Sequence, residues 1–384
     1  MDILFVQHGD YGTAYRNMLA CKKETYRDQF RSVRFVADLA TSHTVRVLSF
    51  CPRPHKEQLT PSLWSIGIEK DGLFKINLND TLKSFKTDLL ICRTPQRQTL
   101  SWAAKNRITT LPCFADTFDN DSLKSKLQHL RLRQILKRVP KPCVANHSLN
   151  ASKSLIHLGI HPKDIVSWDW SPIEPIIQGK SAPKDGHPLS IMYIGVLSKA
   201  KGLDTVIDAL RILKETKTTA ILNIAGQGDL KFWQNYAKER YVESQVNFLG
   251  PIPSDTVLST MNDNDLIVVP SKHEYPEGLP NTIFEALASR TPLIISDHPA
   301  FKGRLNPQNN CLSFTAGDPR DLAEKLLEIT INPSLYELIS ENTVEALKRL
   351  YIGADWCVII TYFINDPKNK TKWTERINLR YLSN

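Results

Sequence analysis

The chain has 384 residues, 41% hydrophobic and 23% charged, which suits a water-soluble globular protein and is too long for one small core. No run of about 18 apolar residues argues for a membrane span, and seven scattered cysteines without Cys-x-x-Cys spacing argue against a zinc site or disulfide frame. The net charge of +9 is uneven: residues 1–185 hold 28 basic and 17 acidic residues, the remainder 21 and 23.

That asymmetry leads us to expect an anionic partner for the first half, such as an anionic membrane surface or a phosphorylated substrate. Nucleic acid is not expected, because no zinc finger, ribonucleoprotein motif or aromatic-basic repeat accompanies the charge. The opening Met1-Asp-Ile-Leu-Phe-Val has no basic segment before its apolar stretch. It therefore predicts a first β-strand, not a signal peptide, and a cytoplasmic location.

Strand-like runs follow at residues 3–7, 44–50, 88–92, 109–114 and 143–145. Between the first two, residues 27–40 place Phe30, Val33, Val36, Ala37 and Ala40 at helical spacing. That β-α-β order predicts a parallel sheet covered by helices. The first strand runs into Gln7-His8-Gly9-Asp10-Tyr11-Gly12, where two glycines allow close approach of a substrate to backbone, although a simple turn explains them too. Asp116 stands just past the fourth run, a polar side chain at a strand end. Residues 123–138 form a basic helix whose leucines either pack into the domain or help the cations dock on anionic lipid. In Asn146-His-Ser-Leu-Asn-Ala-Ser152, helix capping by Ser or Asn is the main expectation, with His147 a secondary candidate for a functional role.

Prolines and glycines over residues 171–188 predict a linker, which separates a domain at 1–170 from one at 189–355. The alternation restarts with strands at 190–194, 220–225, 246–249, 266–269 and 293–296. Gly195 follows the first of these and Lys201 stands near the next helix start, where a cation can meet a diphosphate. Gly226-Gln-Gly228 follows the second. Position 231 is Lys, so the dinucleotide fingerprint fails and a dehydrogenase is disfavoured.

Within residues 270–289, seven residues separate Glu277 from Glu285. Glu277 sits in the loop leading into a helix, beside Gly278, and Glu285 lies one to two turns along that helix at 1.5 Å per residue. An acid beside unpaired backbone N–H groups suits the hydroxyls of a sugar and a ribose, while two solvated charges near a helix start are the plain alternative. Residues 297–304 form either a solvated loop or one that brings Lys302 or Arg304 to a phosphate. Trp356, Ile359, Ile360 and Phe363 in the last segment, 356–384, have helical spacing.

The string Pro-Ser, Glu-Gly-Leu-Pro-Asn-Thr, Phe-Glu-Ala-Leu-Ala and Thr-Pro-Leu-Ile-Ile-Ser resembles the donor-binding signature of retaining glycosyltransferases of family four, the glycosyl transferases group 1. The resemblance covers nearly all of the second domain and the first only in outline. It implies the GT-B architecture: α/β, with two doubly wound, Rossmann-like parallel-sheet domains facing a cleft, and a terminal helix at 356–384 returning to the first domain. It places Glu277 by the transferred sugar and Glu285 on the nucleotide ribose, with Gly278, Leu279 and Asn281 in the same donor segment. It gives Lys201 and the loops at Gly195, Gly226 and Gly228 to the diphosphate, and His8, Gly9, Asp10, Gly12 and His147 to the acceptor side. Two departures stand out: the family's arginine after Gly195 is Val196, with Lys199 a partial substitute, and its glycine at a helix end is Arg290.

The expected activity is transfer of a sugar from a nucleotide sugar to a saccharide or lipid-linked acceptor in surface polysaccharide or glycolipid assembly. Catalysis would rest on Glu277, Lys201 and Asp116, with neither metal nor cofactor, since no Asp-x-Asp or histidine cluster stands at a strand end. Peripheral attachment to the inner membrane face follows from the basic first half. A catalytically weak binding or scaffold protein remains an alternative, as does another GT-B enzyme such as a sugar-nucleotide epimerase.

Overall fold

The structure is a computed structural model that describes residues 1–69, 78–118, 123–184, 186–216 and 218–379. Residue 185 of the expected linker and residues 380–384 of the tail lie outside the described residues. The chain divides into two compact units, Met1–Ser171 with Ile352–Asn384, and Pro172–Tyr351.

Unit 1 begins with β1 (Asp2–His8), α1 (Tyr11–Leu19), α2 (Gln29–Leu39), β2 (Thr44–Phe50), β3 (His55–Thr60), β4 (Leu63–Ile68) and α3 (Leu78–Lys83). It continues through β5 (Leu89–Cys92), α4 (Arg97–Lys105), β6 (Thr109–Phe114), α5 (Leu123–Arg138), β7 (Val144–His147), α6 (Leu149–Ser154) and β8 (Ile165–Trp168). The strands form one sheet in the order β3-β4-β2-β1-β5-β6-β7-β8, parallel except for β3 against β4. Strands β5, β7 and β8 are buried at every position, as strands covered on both faces must be. Successive residues of β1 face opposite sides, so Ile3 and Phe5 join one core and Leu4 and Val6 the other.

Sequence periodicity missed the hairpin of β3 and β4. His55-Lys-Glu-Gln is too polar to read as a strand, and it lies at the sheet edge, where charge discourages pairing with another chain.

Unit 2 has β9 (Leu189–Ile194), α7 (Leu203–Glu215), β10 (Ala220–Ala225), α8 (Leu230–Glu239), β11 (Val246–Gly250) and α9 (Val257–Asn262). Then come β12 (Leu266–Val269), α10 (Asn281–Ala288), β13 (Leu293–Ser296), β14 (Leu312–Phe314), α11 (Pro319–Thr330) and α12 (Pro333–Leu350). Its sheet is wholly parallel, in the order β11-β10-β9-β12-β13-β14. Aspartates start two of these helices: Asp229 accepts from the Phe232 N–H, and Asp318 from those of Arg320 and Asp321.

The last helix, α13 (Trp356–Asn365), belongs to unit 1. Asp355 caps it, and Trp356, Ile359, Ile360 and Phe363 are fully buried in the core that also holds Val33 and Val36 of α2. Each such side chain contributes about 1.5–3 kcal/mol, which holds a segment distant in sequence to the first sheet. Both sheets are the doubly wound parallel kind that the β-α-β order predicts.

Candidate functional site

In an open parallel sheet the natural ligand position is the carboxyl edge where strand order reverses. In unit 2 that point lies between β9 and β12. The two loops leaving it are laid one on the other. Gly202 has φ +76, and a Cβ there would fall 2.0 Å from the Pro270 carbonyl oxygen, so only glycine fits. The Lys272 N–H donates to the Ala200 carbonyl at 3.0 Å.

This contact brings Lys201 to Glu277. The ammonium of Lys201 donates to Glu277 Oε2 and lies 4.5 Å from the centroid of the Tyr275 ring. Ser271 Oγ donates to the same carboxylate oxygen at 2.9 Å, and Glu277 is only 8% exposed. Around it the support is tight. Ser296 donates to the Ser271 carbonyl at 2.7 Å, and His298 Nε2 lies 3.0 Å from the Tyr275 carbonyl. Because His298 Nδ1 accepts from the Ala300 N–H, Nε2 carries the proton, and burial holds this imidazole below its ordinary pKa. Burial, with Glu277 nearby, likewise pushes the Tyr193 phenol far up.

The glycines serve loop packing. Gly226, at φ +146, would place a Cβ 1.8 Å from the Gly195 carbonyl oxygen, and the Gly195 N–H donates to Ala225 O at 3.0 Å. Gly228 bridges to Leu197 in the same stack. Positive φ in this loop stack falls on Gly202 and Gly226 and not on Gly195. Val196 is 53% exposed and brings no charge to this edge, while Lys199 lies 5.7 Å from the Phe232 ring centroid.

Helix α10 starts at Asn281 after Pro280, which makes no side-chain cap. Thr282 Oγ1 reaches the Ile194 carbonyl at 3.4 Å, tying this helix start to the end of β9. Leu279 is 1% exposed within the apolar core, so its side chain anchors the loop; Gly278 beside it is buried, as is Glu285 in the helix. Arg290 keeps the left-handed conformation usual for glycine, at φ 62. Its guanidinium donates to the carbonyls of Ser340 and Ile177, both at 3.1 Å, and Ser340 Oγ donates back to Arg290 O. The turn is thus preserved rather than changed. Arg304 Nη2 donates to the Leu350 carbonyl at 2.6 Å.

In unit 1, Asp10 accepts from the N–H and hydroxyl of Thr13 and so caps α1, with Gly12 buried in the first turn. Burial opposes ionisation of Asp10, but the two Thr13 bonds and the charges of His55 and Arg16 prevail and lower its pKa. Asp10, Cys51 and His55 bring potential metal ligands within 4.8 Å of one another, yet each has protein partners: Thr13, the Arg53 carbonyl and Ser65. His8 Nε2 lies 3.3 Å from Thr94 Oγ1, and Gly9 has φ +88.

His147, 6% exposed, lies 3.3 Å from Asp169 and against the Trp168 ring. The expected cap does not form. Ser148 stands at the N-cap of α6 without a side-chain bond, and Asn146 binds the carbonyls of Asp116 and Ala151. Asp116 is half-buried at the end of β6. The sequence reading did not single out Tyr275 and His298, since their roles depend on which loops meet.

The sequence profile described as glycosyl transferases group 1 matches residues 177–346. Glycogen synthase of Mycobacterium tuberculosis (strain CDC 1551 / Oshkosh) is 28% identical over 180 residues, 47% of this chain and 42% of that protein. The chain spans about half the length of the curated relatives it matches. Among solved structures, sucrose-phosphate synthase from Thermosynechococcus elongatus has a TM-score of 0.68 at 14% identity, covering 94% of this chain and 98% of that one. Anabaena Alr3699/HepE, solved in complex with UDP-glucose, has a TM-score of 0.64 at 17% identity, covering 95% and 98%. These likenesses show a GT-B fold, and the segment 177–346 is similar to the glycosyl transferases group 1.

Proposed function

We propose that the chain is a retaining glycosyltransferase that moves a sugar from a nucleotide-sugar donor, bound by unit 2, to a saccharide or lipid-linked acceptor bound by unit 1. The observation that carries this reading is the Lys201–Glu277 pair at the strand-order reversal of unit 2, inside the segment matched by the family. A cation and a hydroxyl-binding acid held together at that edge suit the two ends of a sugar diphosphate.

As the glycosidic bond to phosphate breaks, negative charge grows on the leaving diphosphate. Lys201 stabilises it there, and the neighbouring backbone N–H groups add to the effect. Glu277 exchanges its bond with Lys201 for the hydroxyls of the transferred sugar. Glu285 takes the ribose. On the acceptor side, Asp116 and His147 orient the attacking hydroxyl.

Helix α5 supports a lipid-linked acceptor and a peripheral position on the inner membrane face. Leu123, Leu127 and Leu130 are 87%, 50% and 49% exposed, beside the exposed cations Lys124, Lys126 and Arg131. A scaffold reading draws support from Val196, which leaves one family cation unreplaced.

Incubation with a panel of nucleotide sugars and lipid extracts, with nucleoside diphosphate release and anomeric configuration read by NMR, tests the proposal. It expects release coupled to a product of retained configuration. An inverted product contradicts the retaining reading, and absence of any turnover favours the scaffold.

A further inference from the structure

Unit 1 has its own reversal of strand order, between β1 and β5. A cavity of about 270 Å³ opens there, walled by Gln7 to Asp10 after β1, by Gln29 and Val33 of α2, and by Arg93 after β5. Arg93 is its notable member. Its Nη1 donates to Gln7 Oε1 at 2.8 Å, and its guanidinium carbon lies 4.5 Å from the Trp356 ring centroid and 5.9 Å from that of Trp170. Among the described residues no acid forms an ion pair with it.

A half-buried guanidinium held by an amide and two indole rings is fixed in position but not neutralised. Its remaining donors form a fork matched to two oxygens of one anion. The single acid on the wall, Asp10, is already bonded to Thr13 and faces His55. Gly9 adds room, since a Cβ there would meet nothing within 4 Å.

We infer that this cavity binds an oxyanion carried by the acceptor, a phosphate ester or a carboxylate, with Arg93 as its main ligand. The inference rests on unit 1 being the acceptor side and adds the chemical class of that acceptor. It also gives α13 a task, because Trp356 at its start is one of the two rings that position the guanidinium.

Isothermal titration of the full chain without nucleotide tests it, using glucose, glucuronate and glucose 6-phosphate as probes. At least one anion should bind tenfold or more tightly than glucose, and which one tells phosphate from carboxylate. Arg93→Gln should abolish the preference and Arg93→Lys retain part of it. Should Arg93→Gln fail to fold, Gln29→Trp fills the cavity with Arg93 in place and should also abolish it. Equal binding of neutral and anionic probes, or a preference that survives these variants, overturns the inference. A parallel titration with nucleoside diphosphate reads unit 2 alone, so failure of the acceptor inference and failure of the donor reading are told apart.

Discussion

Lys201 and Glu277 stand 76 residues apart in sequence and share a hydrogen-bonded ion pair, with Ser271 donating to the same carboxylate. The pair exists because the loops after β9 and β12 touch at Gly202 and Pro270. Burying two charges is costly unless they are paired and hydrogen-bonded, and here both conditions hold. Donor binding would have to replace that bond, so each partner is held close to its proposed ligand and neutralised until the ligand arrives.

The exposed Val196 predicts a gain of grip on substitution. Val196→Arg should tighten nucleoside-diphosphate binding by about 1.5–3 kcal/mol if a charged hydrogen bond forms, and Lys201→Ala should loosen it by a similar amount. Calorimetric titration checks both. An unchanged affinity in Lys201→Ala would mean that this loop does not hold phosphate.

His298 predicts a pH dependence of stability. Its pKa is lowered from 6.5, chiefly by burial, against the raising influence of the Tyr275 carbonyl and Glu277, while His273 and Lys201 lower it further. The unfolded chain therefore binds the proton more readily, and the stability that neutral His298 contributes is present above about pH 6.5. It is lost as pH falls through the lowered value. Urea midpoints measured from pH 7.5 down to 5.5 should fall more steeply in the wild type than in His298→Asn. Parallel curves would deny His298 this role.

Arg290 predicts an order of stabilities. Arg290→Ala loses the bonds to Ser340 and Ile177 while keeping a left-handed residue, and should cost about 1–3 kcal/mol. Arg290→Gly loses the same bonds but relieves the backbone, by about 1 kcal/mol, and should cost less. Chemical denaturation of the three proteins decides it. A glycine variant less stable than the alanine one would contradict the argument.

Helix α5 predicts membrane association. Changing Lys124, Lys126, Arg131 and Lys137 to Gln should reduce sedimentation with anionic liposomes, at about 1 kcal/mol per cation near the surface. Changing Leu123, Leu127 and Leu130 to Ser should reduce it further, since these side chains are exposed in the structure. Equal sedimentation with neutral and anionic vesicles would leave α5 a structural helix.

Much of this was legible in sequence, for identifiable reasons. Buried parallel strands such as Leu266–Val269 read as short apolar runs, and Glu277 and Glu285 fall within one continuous motif. Other features depend on contacts made at long range. The polar edge strand His55–Thr60 has no apolar alternation to betray it. Arg93 gains meaning only beside Trp356, which lies more than 250 residues onward. Ser148 looked like a helix cap but makes no capping bond, since its φ is 64 and ψ 162, far from the geometry a cap requires.

In the proposed mechanism unit 2 grips a nucleotide sugar through Lys201, Glu277 and Glu285. Titration of nucleoside diphosphates and nucleotide sugars into the wild type, Glu285→Ala and Glu277→Ala, beside turnover assays, tests it most directly. The account predicts that Glu285→Ala weakens nucleotide binding about 10- to 100-fold, the worth of a charged hydrogen bond, while Glu277→Ala leaves diphosphate affinity largely intact and lowers turnover by a similar factor. Binding and turnover unchanged in both variants would contradict it.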